Sequence, residues 1–226
     1  MIRKLKSNKR FEITVLLILI TLFCFSLSLF RYYISETKVF LFLNWNLFLA
    51  WIPLFISSCL VIFKIRSKWS LVIATGVWIL FFPNSPYILT DLFHLRSRSS
   101  IPIWYDLVVI LSYAWAGLFC GFISLLDIEK LLSDYFKKPA INIITVLFLF
   151  LTSFGVYLGR FLRWNSWDIL SNPFGLFNDI LLRIVYQMDY TKTWSVTLLM
   201  GVMLNFMYLI MKSLKNLNAD TTIVKN

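Results

Sequence analysis

Charge is scarce in this chain. Only 15% of the 226 residues are Asp, Glu, Lys or Arg, against 59% hydrophobic, and the mean hydropathy is +0.77. Ordinary globular chains carry roughly 25% charged and about 45–50% apolar residues, so a water-facing surface cannot be covered here and a soluble globular domain is excluded. Histidine occurs once, at His94, with no recognised ligand spacing around it, so no metal is assigned. Cys24, Cys59 and Cys120 sit inside apolar stretches without paired or metal-like spacing and read as small buried hydrophobes. The seven glycines form no phosphate-cradling run, and G-x-S-x-G, H-E-x-x-H and acid-phosphatase signatures are missing, which removes the familiar hydrolase and P-loop readings. No internal repeat, linker or low-complexity tract divides the chain, and one domain is the economical reading.

What is present is a series of apolar runs. Crossing a hydrocarbon core of ~30 Å takes about 20 helical residues. Six stretches reach or approach that length without an ionisable side chain: near 13–30, 39–63, 69–90, 107–126, 139–159 and 193–211. Lipid offers no partner to backbone N–H and C=O groups, so each run is expected to be helical, and barrel-strand alternation is missing. The sequence therefore predicts an all-α, polytopic membrane bundle, with a membrane domain over 13–212. The basic start MIRKLKSNKR before the first run resembles a secretory signal but lacks a small-x-small cleavage site, so a retained signal-anchor is expected.

Orientation follows from the Lys and Arg residues. Six alternating crossings put 14 of the 22 on one side, including the basic residues 1–12 and Lys130, Lys137, Lys138 and Lys212, and 8 on the other, among them Arg31, Arg98, Arg160, Arg163 and Arg183. The positive-inside rule then makes both termini cytoplasmic, with 213–226 a polar cytoplasmic tail, frayed after Leu217. The net charge of +11 is explained as an orientation signal, with an anionic-lipid contact as its natural partner and no need for nucleic acid. Residues 174–188 intersperse Asn178, Asp179, Arg183 and Gln187 among apolar side chains at helical spacing, which suits a helix lying in the outer interface.

The unusual polar residues crowd the side expected to be extracytoplasmic. The third run contains FPNSP at 82–86, and Pro83 and Pro86 cannot both sit inside an uninterrupted helix, so a break is expected there. A helix restarting with Ser85 as N-cap and Pro86 at its first position puts Tyr87, Asp91 and His94 at i, i+4 and i+7, on one face beside Asn84. WYDL at 104–107 places Asp106 at the start of the fourth run, where the helix dipole favours an acid and Trp104 and Tyr105 suit an interfacial belt. In GVYLGRFLRWNSWD at 155–168, Gly155 and Gly159 form a small-xxx-small face, followed by Arg160, Arg163, Trp164, Asn165 and Asp168. These arginines have three readings: pairing Asp91, Asp106 or Asp168 to tie loops together, snorkelling to lipid phosphate, or binding an anionic substrate. Asn44 and Asn46 either cap the second helix or line the same cavity, and Trp45 and Trp51 read as interface anchors.

The pieces FPNSPYILTDLFHL, WYDL and GRFLRWNSWD, in this order and spacing, resemble the bacterial membrane family catalogued as domain of unknown function 1361, over roughly Asn44 to Met211. The resemblance implies a polytopic bacterial membrane protein and supplies no activity, cofactor or catalytic residue.

Three functions compete on the residues alone. In the first, a membrane enzyme acts on a lipid-linked or anionic envelope substrate, with Asp91, His94, Asp106 and Asp168 as acid/base groups or, less strongly signalled, as holders of a divalent cation, and Asn84, Tyr87, Arg160, Arg163, Trp164 and Asn165 as substrate contacts. For His94 the plainer reading is an ordinary hydrogen-bonding loop histidine. In the second, the third helix and the arginines form the site of a small-anion transporter or channel, against which the cytoplasmic halves of the spans look featureless. In the third, a scaffold or sensor binds a partner through its outer loops. No cofactor or oligomeric state is assigned.

Overall fold

The computed structural model describes residues 2–65, 67–97 and 101–220, with side chains described over 10–65, 67–97 and 101–215. Arg66, Arg98 and Lys225, which enter the charge count, lie outside the described residues. So does the tail beyond Asp220.

Six helices are long and apolar enough to cross a membrane among the described residues, each overlapping one expected run: Arg10–Ser35, Phe42–Ile62, Lys68–His94, Ile103–Leu132, Lys138–Leu162 and Thr191–Lys215. The protein is thus all-α and built of membrane-length helices. In chain order the elements are α1 (Ile2–Ser35), α2 (Phe42–Ile62), α3 (Lys68–Phe81), α4 (Asn84–Tyr87), a 3₁₀ segment (Ile88–His94), α5 (Ile103–Leu132), α6 (Lys138–Leu162), α7 (Asp168–Ser171), α8 (Pro173–Val185) and α9 (Thr191–Asp220). The last helix continues three residues past Leu217, where the polar composition alone suggests fraying. Large apolar side chains face outward along the spans, among them Leu16, Phe55, Ile73, Leu147 and Leu199, which is costly in water and favourable in lipid.

Packing divides the chain into Met1–Ser124 and Leu125–Asn226, with α5 running through the boundary. In the first unit, Phe40, Leu43, Leu47, Ile88, Ile110 and Tyr113 share one fully buried core. The 85–88 stretch comes very close to α5. A Cβ on Gly121 would lie 2.7 Å from that of Ser85, and one on Gly117 would lie 2.8 Å from the Ser85 carbonyl. Only glycine permits this approach, so 117 and 121 form a small-xxx-small contact.

The proline pair coincides with a change of helix type. Phe82 and Pro83 keep right-handed helical dihedrals, and after the four residues of α4 the chain tightens into 3₁₀ geometry through His94. Pro86 has no N–H to give and its ring crowds the Phe82 carbonyl four residues back, which disfavours α geometry between α3 and α4. Two local expectations are corrected. Pro83, not Ser85, holds the N-cap position, and the Ser85 hydroxyl lies 3.4 Å from the Ala50 carbonyl as its donor. With three residues per turn, His94 aligns with Asp91, whereas Tyr87, in α4, falls off that face.

In the second unit, α6 begins with Pro139 in its first turn and ends at Arg163, whose φ of 64° and ψ of 27° are left-handed. The amide of Trp164 closes that end on the Leu158 carbonyl at 3.2 Å. Asn172 caps α8, accepting from the Gly175 amide at 3.1 Å, with Pro173 at the first position. The sidedness of α8 is inverted relative to a soluble helix. Phe174, Phe177, Leu181, Ile184 and Val185 are exposed, and the buried residue is Arg183.

Candidate functional site

In the first unit, the polar groups sort into two constellations. Arg31 and Asp106 are both completely buried, with Nε donating to Oδ1 at 2.7 Å and Nη2 to Oδ2 at 3.2 Å. The remaining guanidinium donor, Nη1, reaches the Ser35 and Thr37 hydroxyls and the Val39 carbonyl at 3.1–3.4 Å, and the ring of Phe40 lies 4.8 Å from the guanidinium carbon. The chain after α1 is wrapped around this one cation. Sequence reasoning counts Arg31 only as an orientation charge and seeks Asp106's partner elsewhere; a pair 75 residues apart leaves no mark in local spacing.

Beside it, Tyr113 donates to the Asn44 side-chain carbonyl and lies 2.9 Å from the Ser28 hydroxyl, while Tyr105 donates to the Leu27 carbonyl at 2.9 Å. Asn44 is the third residue of α2 and caps nothing; Leu41 holds the N-cap position without a side-chain bond. Trp51 also turns inward, donating from Nε1 to Thr21 at 3.1 Å, so it is a packing residue where an interface anchor was expected. Trp45 is exposed and stacks on Phe48.

The second constellation joins Asn46, Asp91 and His94. Asp91 is fully buried, and the Asn46 amide donates to its Oδ2 at 2.9 Å. Its Oδ1 lies 3.9 Å from His94 Nδ1, and the imidazole, 46% exposed, is tilted against Phe42 at 5.4 Å between centroids. A buried carboxylate next to a half-exposed imidazole can orient the ring, the arrangement that general acid–base chemistry uses. Of the nearby contacts expected for substrate, Asn84 donates to the Phe81 carbonyl at 2.8 Å, closing the end of α3, and Tyr87 is half-buried with its carbonyl accepting from Thr90.

In the second unit, Asp168 serves the chain around it. Its Oδ2 accepts from the Asn165 amide at 2.7 Å and from the Asn165 side chain at 3.2 Å, and its Oδ1 accepts from Ser171 at 3.0 Å. The Asn165 amide above all holds this carboxyl below the ordinary range against the opposing effect of burial, with lesser help from the Ser171 hydroxyl and the Asn165 side chain. Trp164 donates to Asp179 Oδ2 at 2.7 Å. Arg160 is half-buried at the end of α6 and Arg163 is exposed.

Several polar groups here stand outside the candidates read from the sequence. Arg183 donates to the Asp179 carbonyl and carboxylate at 2.6 and 3.1 Å, lies over Tyr190 at 4.8 Å, and its own carbonyl accepts from Trp194 at 3.0 Å. Lys212 meets both oxygens of Glu129 at 2.8–2.9 Å, and Thr145 donates to the same carboxylate at 2.8 Å. These residues border a cleft of about 280 Å³ with Asn142, Asn205 and Tyr208. The only sequence trace of the Glu129 cluster is polar residues recurring on the last turns of α5 and α9, the region that reads as featureless. No group of three or more His, Cys, Asp or Glu side chains suited to a metal occurs among the described residues.

No curated protein and no solved structure matches the chain. A family model does, over residues 45–207, a stretch containing all three motifs and every candidate site residue. The chain therefore belongs to the family described as Protein of unknown function (DUF1361).

Proposed function

We propose that this protein is an integral membrane enzyme acting on a lipid-linked or otherwise anionic envelope substrate, with His94 as general acid/base and Asp91 as the group that positions it. The observation that carries the reading is the pairing of a fully buried carboxylate with a half-exposed imidazole at 3.9 Å. Isolated buried acids in membrane helices are costly, so one held beside a titratable ring marks a functional position by default. Asp106, with both oxygens on Arg31, and Asp168, holding its own turn, are better suited to structural duties. Arg160 and Arg163 at the end of α6 are proposed as contacts to lipid phosphate. The charge distribution supports a bacterial cytoplasmic membrane location with both termini inside.

The test compares the envelope lipid profile of a deletion strain carrying the wild type, Asp91→Asn or His94→Ala. General acid–base groups contribute about 10²–10⁴-fold, so each variant, while accumulating normally in the membrane, is expected to restore less than a hundredth of the activity. Full rescue by both ends the proposal.

A further inference from the structure

The interface of α6 and α9 carries polar side chains that the Asp91–His94 reading does not use. The two helices are antiparallel: Phe154 stacks on Trp194 at 6.0 Å, and Lys212 donates to Asn142 at 3.2 Å. Between these points Phe150 covers Gly201, where an added Cβ would lie 2.2 Å from its ring. Thr193 and Thr197 precede Gly201 at four-residue steps and share its face. On α6, Thr145 and Thr152 lie on one buried stripe with Leu149.

Three levels follow along this seam. At one end the hydroxyls of Thr152, Thr193 and Thr197, at most 5% exposed, have no hydrogen-bond partner among the described residues, and neither does Nε of the buried Arg183. Helical threonines ordinarily return the hydroxyl to a carbonyl one turn back, as Thr14 and Thr21 do here. Leaving several buried polar atoms unpaired in one place costs about 1–3 kcal/mol each unless a hydrogen-bonding guest satisfies them. In the middle, Leu149 and Leu204 are fully buried beside the Phe150–Gly201 contact. At the other end lies the cleft with Glu129 and Lys212. From Thr193 to Lys212 the helix rises about 28 Å, close to the ~30 Å of a hydrocarbon core.

We infer that this seam is a closed proton path: two polar levels that hold water, separated by an apolar plug centred on Phe150, with the Asp179–Arg183 and Glu129–Lys212 pairs at its ends. Asp179 is paired with Arg183 and Glu129 with Lys212, so neither end favours an ion of one sign. A hydrogen-bonded file of water and hydroxyls instead relays protons, one entering at one end as another leaves at the other. No residue of the first unit is required, so failure here leaves the Asp91–His94 reading untouched.

The full-length protein in vesicles containing a pH-sensitive dye, with a potassium gradient and valinomycin, tests the path. Wild type is expected to be as tight as protein-free vesicles and Phe150→Ala to pass protons at least tenfold faster. Adding Thr193→Val and Thr197→Val to that variant should restore tightness. Monodisperse Phe150→Ala that stays tight, a leak unaffected by the valines, or an equal leak of chloride overturns the inference. Should Phe150→Ala fail to fold, Phe150→Val takes its place in the same vesicles, with Thr193→Val and Thr197→Val added as before, and the same outcomes support or overturn the inference.

Discussion

Arg31 and Asp106 meet in a two-pronged pair with neither side chain exposed, the guanidinium also holding the turn that joins α1 to α2. Removing one partner strands the other charge in a low-dielectric interior, which costs about 3–5 kcal/mol. Arg31→Met and Asp106→Leu should each lower the thermal midpoint in detergent sharply. The double variant should recover most of the loss, because two apolar side chains replace a satisfied pair. A double variant as unstable as the sum of the singles would show that the turn, not the ion pair, is what Arg31 supports.

Arg163 ends α6 in the left-handed region, a conformation that costs a non-glycine residue about 1–2 kcal/mol. Arg163→Gly should therefore match or exceed the wild type in stability by about 1 kcal/mol. If the arginine contacts lipid phosphate, the same variant should bind anionic vesicles more weakly than neutral controls predict. Co-sedimentation with vesicles of phosphatidylglycerol and of phosphatidylcholine measures the second effect, and thermal melting the first.

The Asp168 carboxyl is held below its ordinary range by the Asn165 amide and two weaker donors. The stability it lends to the turn is therefore fully present above the usual carboxylate range and is lost as pH falls through its lowered value. Emission from Trp164 and Trp167, which flank the turn, should change at a pH below that at which free carboxylates titrate. Asp168→Asn should abolish this change while leaving neutral-pH activity intact.

Gly117 and Gly121 allow Ser85 to lie against α5. Alanine at either position forces backbone or a buried hydroxyl to move, costing about 1–3 kcal/mol. Gly76, with open space around its Cβ position, is the control and should tolerate alanine with unchanged or slightly raised stability.

The spans are legible in the sequence because a stretch of about 20 apolar residues has one stable conformation in lipid. The detail at 82–94 is not. The motif marks a change of helix type, but the shared face of Tyr87, Asp91 and His94 assumes 3.6 residues per turn, and the 3₁₀ pitch keeps only Asp91 and His94 together. The glycine pair at 117 and 121 is written openly as G-x-x-x-G, yet its partner at Ser85 depends on tertiary packing. Asn46 with Asp91, Arg31 with Asp106 and Lys212 with Glu129 are separated by 45 to 83 residues. Each appears along the chain as a lone polar residue, and only folding supplies the neighbour.

The inverted sidedness of α8 limits how the protein can be handled. Phe174 and Phe177 on α8, and Met188 just after it, are 87%, 62% and 88% exposed, so a peptide trimmed to 168–190 would bring bare aromatic and thioether groups into buffer and is expected to aggregate. If α8 lies against lipid, binders against this region are best selected on the intact chain in nanodiscs, where those groups would be covered.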